Sequence, residues 1–298
     1  MMKNRIKQDQ SSIVFKTIGY IFIAFLAIMT LFPFYILVVG SFTAESQIYQ
    51  IGFTLWPREI SYKAYEIIFK SPKQILNAYT VTVFITATGT IAGLFITAMT
   101  AYVLNKKEFR LRNHFAFFFY FTTLFNAGMI PTYILIVRYL GLKNNILALI
   151  LPNLLSVFNI LIMRNFVKSI PYSIIESGKM DGASDFKIFR SLYLPLMEPA
   201  LACIGLFIAL RDWNDWSNAM LYVEKEHLFP LQFLLYQITN SARFMNSVMA
   251  EASIPSGDMP QQSIKLAMTV VSIGPIVLLY PFLQKYFVTG IMIGSVKE

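Results

Sequence analysis

Apolar residues gather into six long runs along this chain, at 18–41, 78–104, 115–137, 146–163, 195–210 and 266–283. A helix needs about 20 mostly apolar residues to cross roughly 30 Å of hydrocarbon, and each run is near that length. The pattern therefore predicts an all-α membrane protein with six transmembrane helices. Pro195 and Pro199 lie near the start of the fifth and shortest run and leave its boundary open by several residues. The connectors are short apart from two, 42–77 and 211–265. No repeat of 20–50 residues and no low-complexity tract interrupts them, so the sequence predicts one membrane domain over 18–284 between segments 1–17 and 285–298.

The positions of lysine and arginine predict the orientation. With the N-terminus in the cytoplasm, the inner segments hold 15 of the 25 basic residues and seven of the 16 acidic ones, a net of +8. The outer segments net only +1 on a longer stretch of chain. Both termini are then cytoplasmic. The basic N-terminus and first run resemble a signal peptide, but no small-residue cleavage pattern ends the run at Ser41, so it is read as a retained helix.

Composition agrees with the pattern: 56% of the 298 residues are hydrophobic, 14% are charged, and the mean hydropathy is +0.57. The net charge of +9 sits beside apolar runs rather than on one face of a soluble domain, which argues against nucleic acid as a partner. Cys203 is the single cysteine, so a disulfide within the chain and a cysteine-based metal cluster are both excluded.

What the runs lack also restricts function. An ionisable residue inside a membrane span is costly, by about 2.5–3.5 kcal/mol on insertion scales, and marks an ion or proton pathway. None of the six runs carries one in its interior, and Glu198 is read as interfacial. Gly178-Lys179 is the one Gly-Lys pair, and Ser173 stands where a phosphate-binding loop needs its earlier glycine, so ATP is not expected to bind this chain. His114 and His227 form no zinc-binding helix motif. A secondary transporter that holds sodium by backbone carbonyls, or a membrane serine enzyme without a Gly-x-Ser-x-Gly turn, stays open at this point.

The longest inner connection, within 164–195, has its own local grammar. Ser169 is placed to cap a helix with Pro171 in its first turn, Asp181-Gly182 breaks that helix, and Ser184 caps a second one through about Arg190. Phe186, Phe189 and Tyr193 then fall on one apolar stripe. Two short helices at an L-shaped bend are expected. An amphipathic hairpin lying on the bilayer fits the same periodicity.

The spacing in this segment resembles the EAA loop of ABC importer permeases: Glu-Ala-Ala, three residues, Gly, nine residues, Ile-x-Leu-Pro. Glu176, Gly182, Leu194 and Pro195 match, as does Asp181-Gly182-Ala183, common in the sugar branch. Ser177 and Gly178 stand for the two alanines and Leu192 for the isoleucine. Met129-Ile-Pro-Thr-Tyr133, Gly141-Leu-Lys-Asn-Asn145, Met163-Arg-Asn-Phe166, Trp213-Asn-Asp-Trp216 and the tail through Gly290 to Gly294-Ser-Val-Lys297 extend the resemblance over essentially the whole chain. They resemble the smaller, MalG-like permease of the maltose type, although Glu298 ends the chain where that branch often ends in glycine.

The resemblance implies a MetI/MalG-like fold in a bacterial cytoplasmic membrane, surrounded by lipid, and a carbohydrate cargo. It implies a second, MalF-like permease, two ABC nucleotide-binding subunits that bind ATP and magnesium, and an extracytoplasmic solute-binding protein. This chain would hold no cofactor and no metal and would not itself be an enzyme. Glu176, Ser177, Gly178, Asp181, Gly182, Ala183 and Pro195 would belong to the ATPase-coupling joint, with an ion pair at Glu176 and a tight turn at Gly182. Gly290, Gly294 and Lys297 would reach toward the ATPase subunits.

Aromatic faces and hydrogen-bonding groups hold sugars, which makes Trp213, Asn214, Asp215, Trp216 and Asn218 candidates for the substrate pathway. The stronger reading of the same tryptophans is that they are the interfacial residues of a membrane helix. By resemblance, the outer loop 222–263, with Phe229-Pro-Leu-Gln232 and Pro255-Ser-Gly257, would contact the solute-binding protein. A solvated connector is the other reading.

Overall fold

The computed structural model describes residues 10–70, 72–240 and 260–277. All regular structure among them is helical apart from one isolated bridge between Thr43 and Ile60. The described residues fall into two compact units, the first holding 10–70 and 260–271, the second 72–240 and 272–277.

The first unit opens with α1, Gln10–Ser41, which is apolar on all sides and exposed on all sides from Tyr20 to Tyr35. That is the surface of a helix whose surroundings are lipid. The connector that follows is not loose: it contains α2, Glu45–Ile51, and α3, Lys63–Lys70. Buried Gln47 holds its turn by accepting from the backbone N–H groups of Arg58 and Glu59 at 2.9 and 3.0 Å. The Glu45 carboxylate accepts from the N–H groups of Gln262 and Ser263 at 2.7 and 2.9 Å, which are orphan donors in the first turn of the helix over 261–277. A carboxylate there also opposes the positive end of the helix dipole.

The second unit is built on α4, Pro72–Asn105, a helix of 34 residues. Next come α5, Arg112–Leu124; α6, Met129–Ile134, prolonged by a π turn over Leu135–Tyr139; α7, Leu147–Ile150; and α8, Val157–Ser169. Then follow α9, Ser173–Met180; α10, Asp185–Ile188, prolonged by a π turn over Phe189–Tyr193; α11, Leu194–Leu196; α12, Glu198–Trp213; and α13, Ser217–Tyr222. A further helix covers 231–240. α4 packs against α8 and α12. Close approach depends on small residues: a Cβ at Gly93 would stand 3.2 Å from the Leu154 carbonyl, and one at Gly205 would stand 3.0 Å from Leu94 Cδ1. One core, around Tyr102, Met163, Phe189 and Tyr193, lies beside the 164–195 connection, and a second surrounds Ile85, Leu149, Tyr222 and Phe233.

Two helices, Val14–Ser41 and Lys73–Asn105, are long and apolar enough to cross a membrane unbroken, and three bent pairs bring the number of candidate spans among the described residues to five. The third apolar run is not one straight helix, as expected from the pattern, but Arg112–Leu124 and Met129–Tyr139 bent by 113°. Asn126 Oδ1 accepts from the Gly128 N–H at 2.8 Å and Gly128 sits at φ +89°, so this turn stops the helix. The fourth run bends by 50° between Leu147–Asn153 and Val157–Ser169, where Ser156 caps α8. The sixth lies within the described residues only as far as 277.

The fifth run needs the largest correction. Its helix continues to Trp213, so Arg211 and Asp212, expected in the outer connector, form its last turn, and Asp212 is only 5% exposed. Arg211 donates from Nε and Nη2 to Asp212 Oδ1 at 3.0 and 2.9 Å. Gly89 of α4 makes room for this carboxylate, since a Cβ there would lie 2.3 Å from Asp212 Oδ2. Apolar-run counting stopped at Leu210 and missed a buried charge that is stabilised by its neighbour in sequence.

Candidate functional site

The 164–195 connection folds as two short helices at a bend, as its spacing predicts, but begins differently. Ser169 is the last residue of α8 and its hydroxyl donates back to the Phe166 carbonyl at 2.7 Å, so it caps nothing downstream. α9 starts at Ser173, after Pro171 rather than around it. Its C-terminus is closed by two bonds: the Gly182 N–H to the Lys179 carbonyl and the Ala183 N–H to the Gly178 carbonyl, each 3.0 Å. This is the Schellman arrangement, which needs a left-handed residue just past the helix, and Gly182 supplies it at φ +72°. Ser184 then caps α10 by accepting from the Lys187 N–H.

The expected stripe is split. Phe189 and Tyr193 are buried, whereas Phe186 is 55% exposed and Ile188 takes the inward place beside them. Phe189 and Tyr193, at the two ends of the π turn, keep the inward face, and Phe186, in the short helix before it, does not.

Glu176, Ser177, Asp181, Gly182 and Pro195 are exposed, Ala183 is half-buried against the core, and Gly178 is buried. Met180, at 87% exposure, and Phe186 add apolar surface on either side of the Gly182 turn. Glu176 makes no ion pair or side-chain hydrogen bond among the described residues. The loop thus presents a carboxylate and two apolar side chains around a fixed turn, a surface suited to docking and not to bond-making chemistry.

The sequence reading missed what holds this loop from the side. Three successive residues after α4 grip it. Lys106 pairs with Asp185 at 2.5 Å, the Lys107 ammonium lies 4.2 Å from the centre of the Tyr172 ring, and Glu108 Oε1 accepts from the Tyr172 hydroxyl at 2.8 Å and from Lys179 Nζ. The Lys179 hydrogen bond, with help from the Glu108 N–H and Tyr172, holds the Glu108 carboxyl down at about 2. The same hydrogen bond raises Lys179, while Tyr172 is raised first by burial and then by Glu108. In the sequence these lysines counted only toward the charge bias.

At the other end of α12, Asn214, Asp215, Trp216 and Asn218 line one polar cavity of about 320 Å³ together with Asn153, Arg211 and Ser217. Asp215 organises it, accepting from Asn153 Nδ2 at 2.7 Å, from Asn218 Nδ2 at 2.6 Å and from the N–H groups of Ser217 and Asn218 at 3.1 Å. Trp216 stacks on Tyr236 at 4.4 Å between ring centres. Trp213 is elsewhere: it is buried, and its indole N–H donates to the Ser272 carbonyl at 3.2 Å. Phe229 and Leu231, expected on an outer contact loop, are buried, and Phe229 belongs to the second core. Gly141 and Asn144 of the motif Gly141 to Asn145 both take positive φ, and Asn144 Oδ1 accepts from the Glu224 N–H at 2.6 Å, which ties this turn to the chain after α13. Residues 255–257 and the tail residues Gly290, Gly294 and Lys297 lie outside the described residues.

The chain is 38% identical over 296 residues to the polygalacturonan/rhamnogalacturonan transport system permease protein YtcP of Bacillus subtilis, covering 99% of this chain and 100% of that one. It is 38% identical over 290 residues to protein LplC of the same organism, covering 95% of each. A solved bacterial ABC transporter involved in import of the acidic polysaccharide alginate contains a chain that superposes with a TM-score of 0.78 at 31% identity, covering 94% of this chain and 98% of that one. This chain belongs to the permeases of ABC-type carbohydrate importers. No family model matches it. As such a permease it works with a separate ATPase, and its all-α, multi-spanning architecture is that of an ABC-importer membrane subunit.

Proposed function

We propose that this permease is of the maltose type and is coupled to its ATPase through the α9–α10 loop. In this reading it lies in the bacterial cytoplasmic membrane with six spans and both termini inside, and forms half of a translocation pathway with a MalF-like companion. Two ABC subunits bind ATP and magnesium and carry out hydrolysis. One of them receives Glu176, Ser177, Asp181 and Gly182 in a cleft, and Gly290, Gly294 and Lys297 of the tail add a second contact. A solute-binding protein delivers the sugar from outside. The observation that carries the reading is the solvated Glu176 carboxylate beside a turn locked by Gly182. Glu176→Ala removes one half of a docked ion pair and leaves the other half desolvated. Affinity purification of the tagged permease should then recover less ATPase subunit, with uptake reduced in parallel. Full recovery with normal uptake would rule out this joint.

For the cargo we infer an acidic oligosaccharide. One relative is named for polygalacturonan and rhamnogalacturonan, and the solved transporter imports an acidic polysaccharide. The cavity with Asn214, Asp215, Trp216 and Asn218 contains one cation, Arg211, which uses Nε and Nη2 on Asp212 and leaves Nη1 without a partner among the described residues. Asp215 keeps its charge but is held by amide and backbone donors, and Asp212 takes one edge of the guanidinium, so it is the Nη1 edge alone that is offered to a cargo carboxylate. Arg211→Gln should lower uptake of a uronate oligosaccharide more than uptake of a neutral one of equal length. An equal loss for both would remove Arg211 from cargo recognition.

A further inference from the structure

α9 has eight residues and α10 four, and the chain leaves them through an 83° bend into α12. Ile175, Ile188, Phe189 and Tyr193 share one buried core with Ala98, Ala101 and Tyr102 of α4. Elements this short, joined by such a bend, still tilt about that core unless something also holds them from the side. The 106–108 segment does so at three places, and no residue of that segment belongs to the loop it holds. Lys106 holds Asp185 at the start of α10, where the Tyr102 hydroxyl also reaches the Asp185 carbonyl at 3.4 Å. Lys107 and Glu108 hold Tyr172, just before α9, and Glu108 also holds Lys179 in its last turn. Tyr172 and Lys179 are seven residues apart, close to two full turns, so their side chains leave the same face and converge on one carboxylate oxygen.

We propose that Glu108 is a positioning residue that braces the coupling loop against the end of α4, so that displacement of the loop moves α4 instead of being absorbed at the linkers. α4 is the helix against which α8 and α12 pack, so whatever moves its end moves the middle of the second unit. Glu108 and Lys179 are about half and one-third exposed at their side chains, and exposed ion pairs add little to fold stability. The brace therefore acts on transmission and not on folding, which separates the two experimentally. The inference rests on the coupling role proposed for this loop.

The test uses the complete complex, permeases with ATPase and binding protein, in proteoliposomes, and reads three quantities: ATPase subunit recovered, ATP hydrolysed, and sugar transported per ATP. Glu108→Ala should leave assembly and hydrolysis in place and lower sugar per ATP by about three- to ten-fold, the scale for residues that carry coupling without touching a ligand. Exchanging the charges, Glu108→Lys with Lys179→Glu, should recover most of the ratio. If Glu108→Ala does not fold, Lys179→Met with Tyr172→Phe removes the same bonds from the other side and should lower the ratio alike. An unchanged ratio in these variants, a charge exchange no better than its single variants, or loss of the ATPase subunit from the complex would overturn the brace. Glu176→Ala in the same preparation keeps the two ideas apart: normal assembly there defeats the docking role, whereas a defect there with an unchanged Glu108→Ala ratio defeats only the brace.

Discussion

Gly178 and Leu192 fit each other across the bend of the α9–α10 loop: a Cβ on Gly178 would stand 3.0 Å from Leu192 Cδ1, and 3.1 Å from Ile188 Cγ1. They are also two of the three places where this loop departs from the Glu-Ala-Ala…Ile-x-Leu-Pro pattern. Glycine for alanine on one side accommodates leucine for isoleucine on the other. Gly178→Ala gains about 0.5–1 kcal/mol of helix propensity but overpacks a closed site, which costs about 1–3 kcal/mol. A net loss near 1 kcal/mol is expected, seen as a lower Tm of the purified complex. Moving the branch point with Leu192→Ile should relieve the Leu192 contact but not the approach to Ile188, so that alanine at 178 costs less in that background than in the wild type. Additive effects of the two substitutions would show that the pair is not coupled.

Gly182 makes a different demand. A Cβ there would meet nothing within 4 Å, so the requirement is its φ of +72° alone. Left-handed backbone costs an L-residue roughly 1–2 kcal/mol, and asparagine tolerates it better than a β-branched residue. Gly182→Asn should assemble with the ATPase nearly as well as the wild type, and Gly182→Val should not. Equal recovery from both variants would show that the Schellman closure is dispensable.

The parts of this site that were legible in the sequence are those set by local chemistry. Ser184 caps, Asp181-Gly182 breaks, and α1 and α4 are long and apolar, because a few adjacent residues decide each outcome. The missed parts depend on tertiary neighbours. Asn126 and Gly128 lie inside an apolar run, yet their turn bends the third candidate span; Phe186 is exposed while Ile188 takes the inward place; and Asp212 is buried because Gly89, on another helix, leaves space for it. Glu108 carried no signal at all, since its partners lie 64 and 71 positions away.

The Glu108 bridge also has a defined pH window. Its carboxyl is held at about 2, below the ordinary 4.5, so the contribution is fully present above pH 4.5 and fades as pH falls toward 2. Lys179 is raised above 10.5, so its part is complete below that pH and is lost only as pH rises through the higher folded value. Between pH 5 and 10 the brace should not titrate. Hydrogen exchange in 173–180 should therefore be insensitive to this pair across that range, after correction for intrinsic rates, and rise on acidification below 4.5. Glu108→Gln should remove that acid-dependent rise. A midpoint near 6 that disappears in this variant would mean that Glu108 is not bridged.

The buried charge at Asp212 sharpens the question of energy source, because an intramembrane carboxylate is the group a proton-driven carrier would use. Here it is bonded to Arg211, the residue before it, and packed on Gly89, so it has a fixed partner and no room for a side chain opposite. A group that is paired within its own turn serves the structure of the helix end, and Asp215, the carboxylate nearest to it in sequence, is itself held by Asn153, Asn218 and the backbone. Under the proposed coupling, the energy arrives through the α9–α10 loop: closing the ATPase subunits would change the separation of the docked loops, and such a difference between two states is what a switch needs. In proteoliposomes, uptake should require ATP and binding protein together and continue when proton and sodium gradients are collapsed by ionophores. Asp212→Asn should lower Tm, since it leaves Arg211 without its counter-charge, while uptake by the remaining folded complex stays gradient-independent. Uptake that stops with the gradient while ATP is abundant, and that Asp212→Asn alone abolishes, would make Asp212 a proton site and refute transmission through the loop.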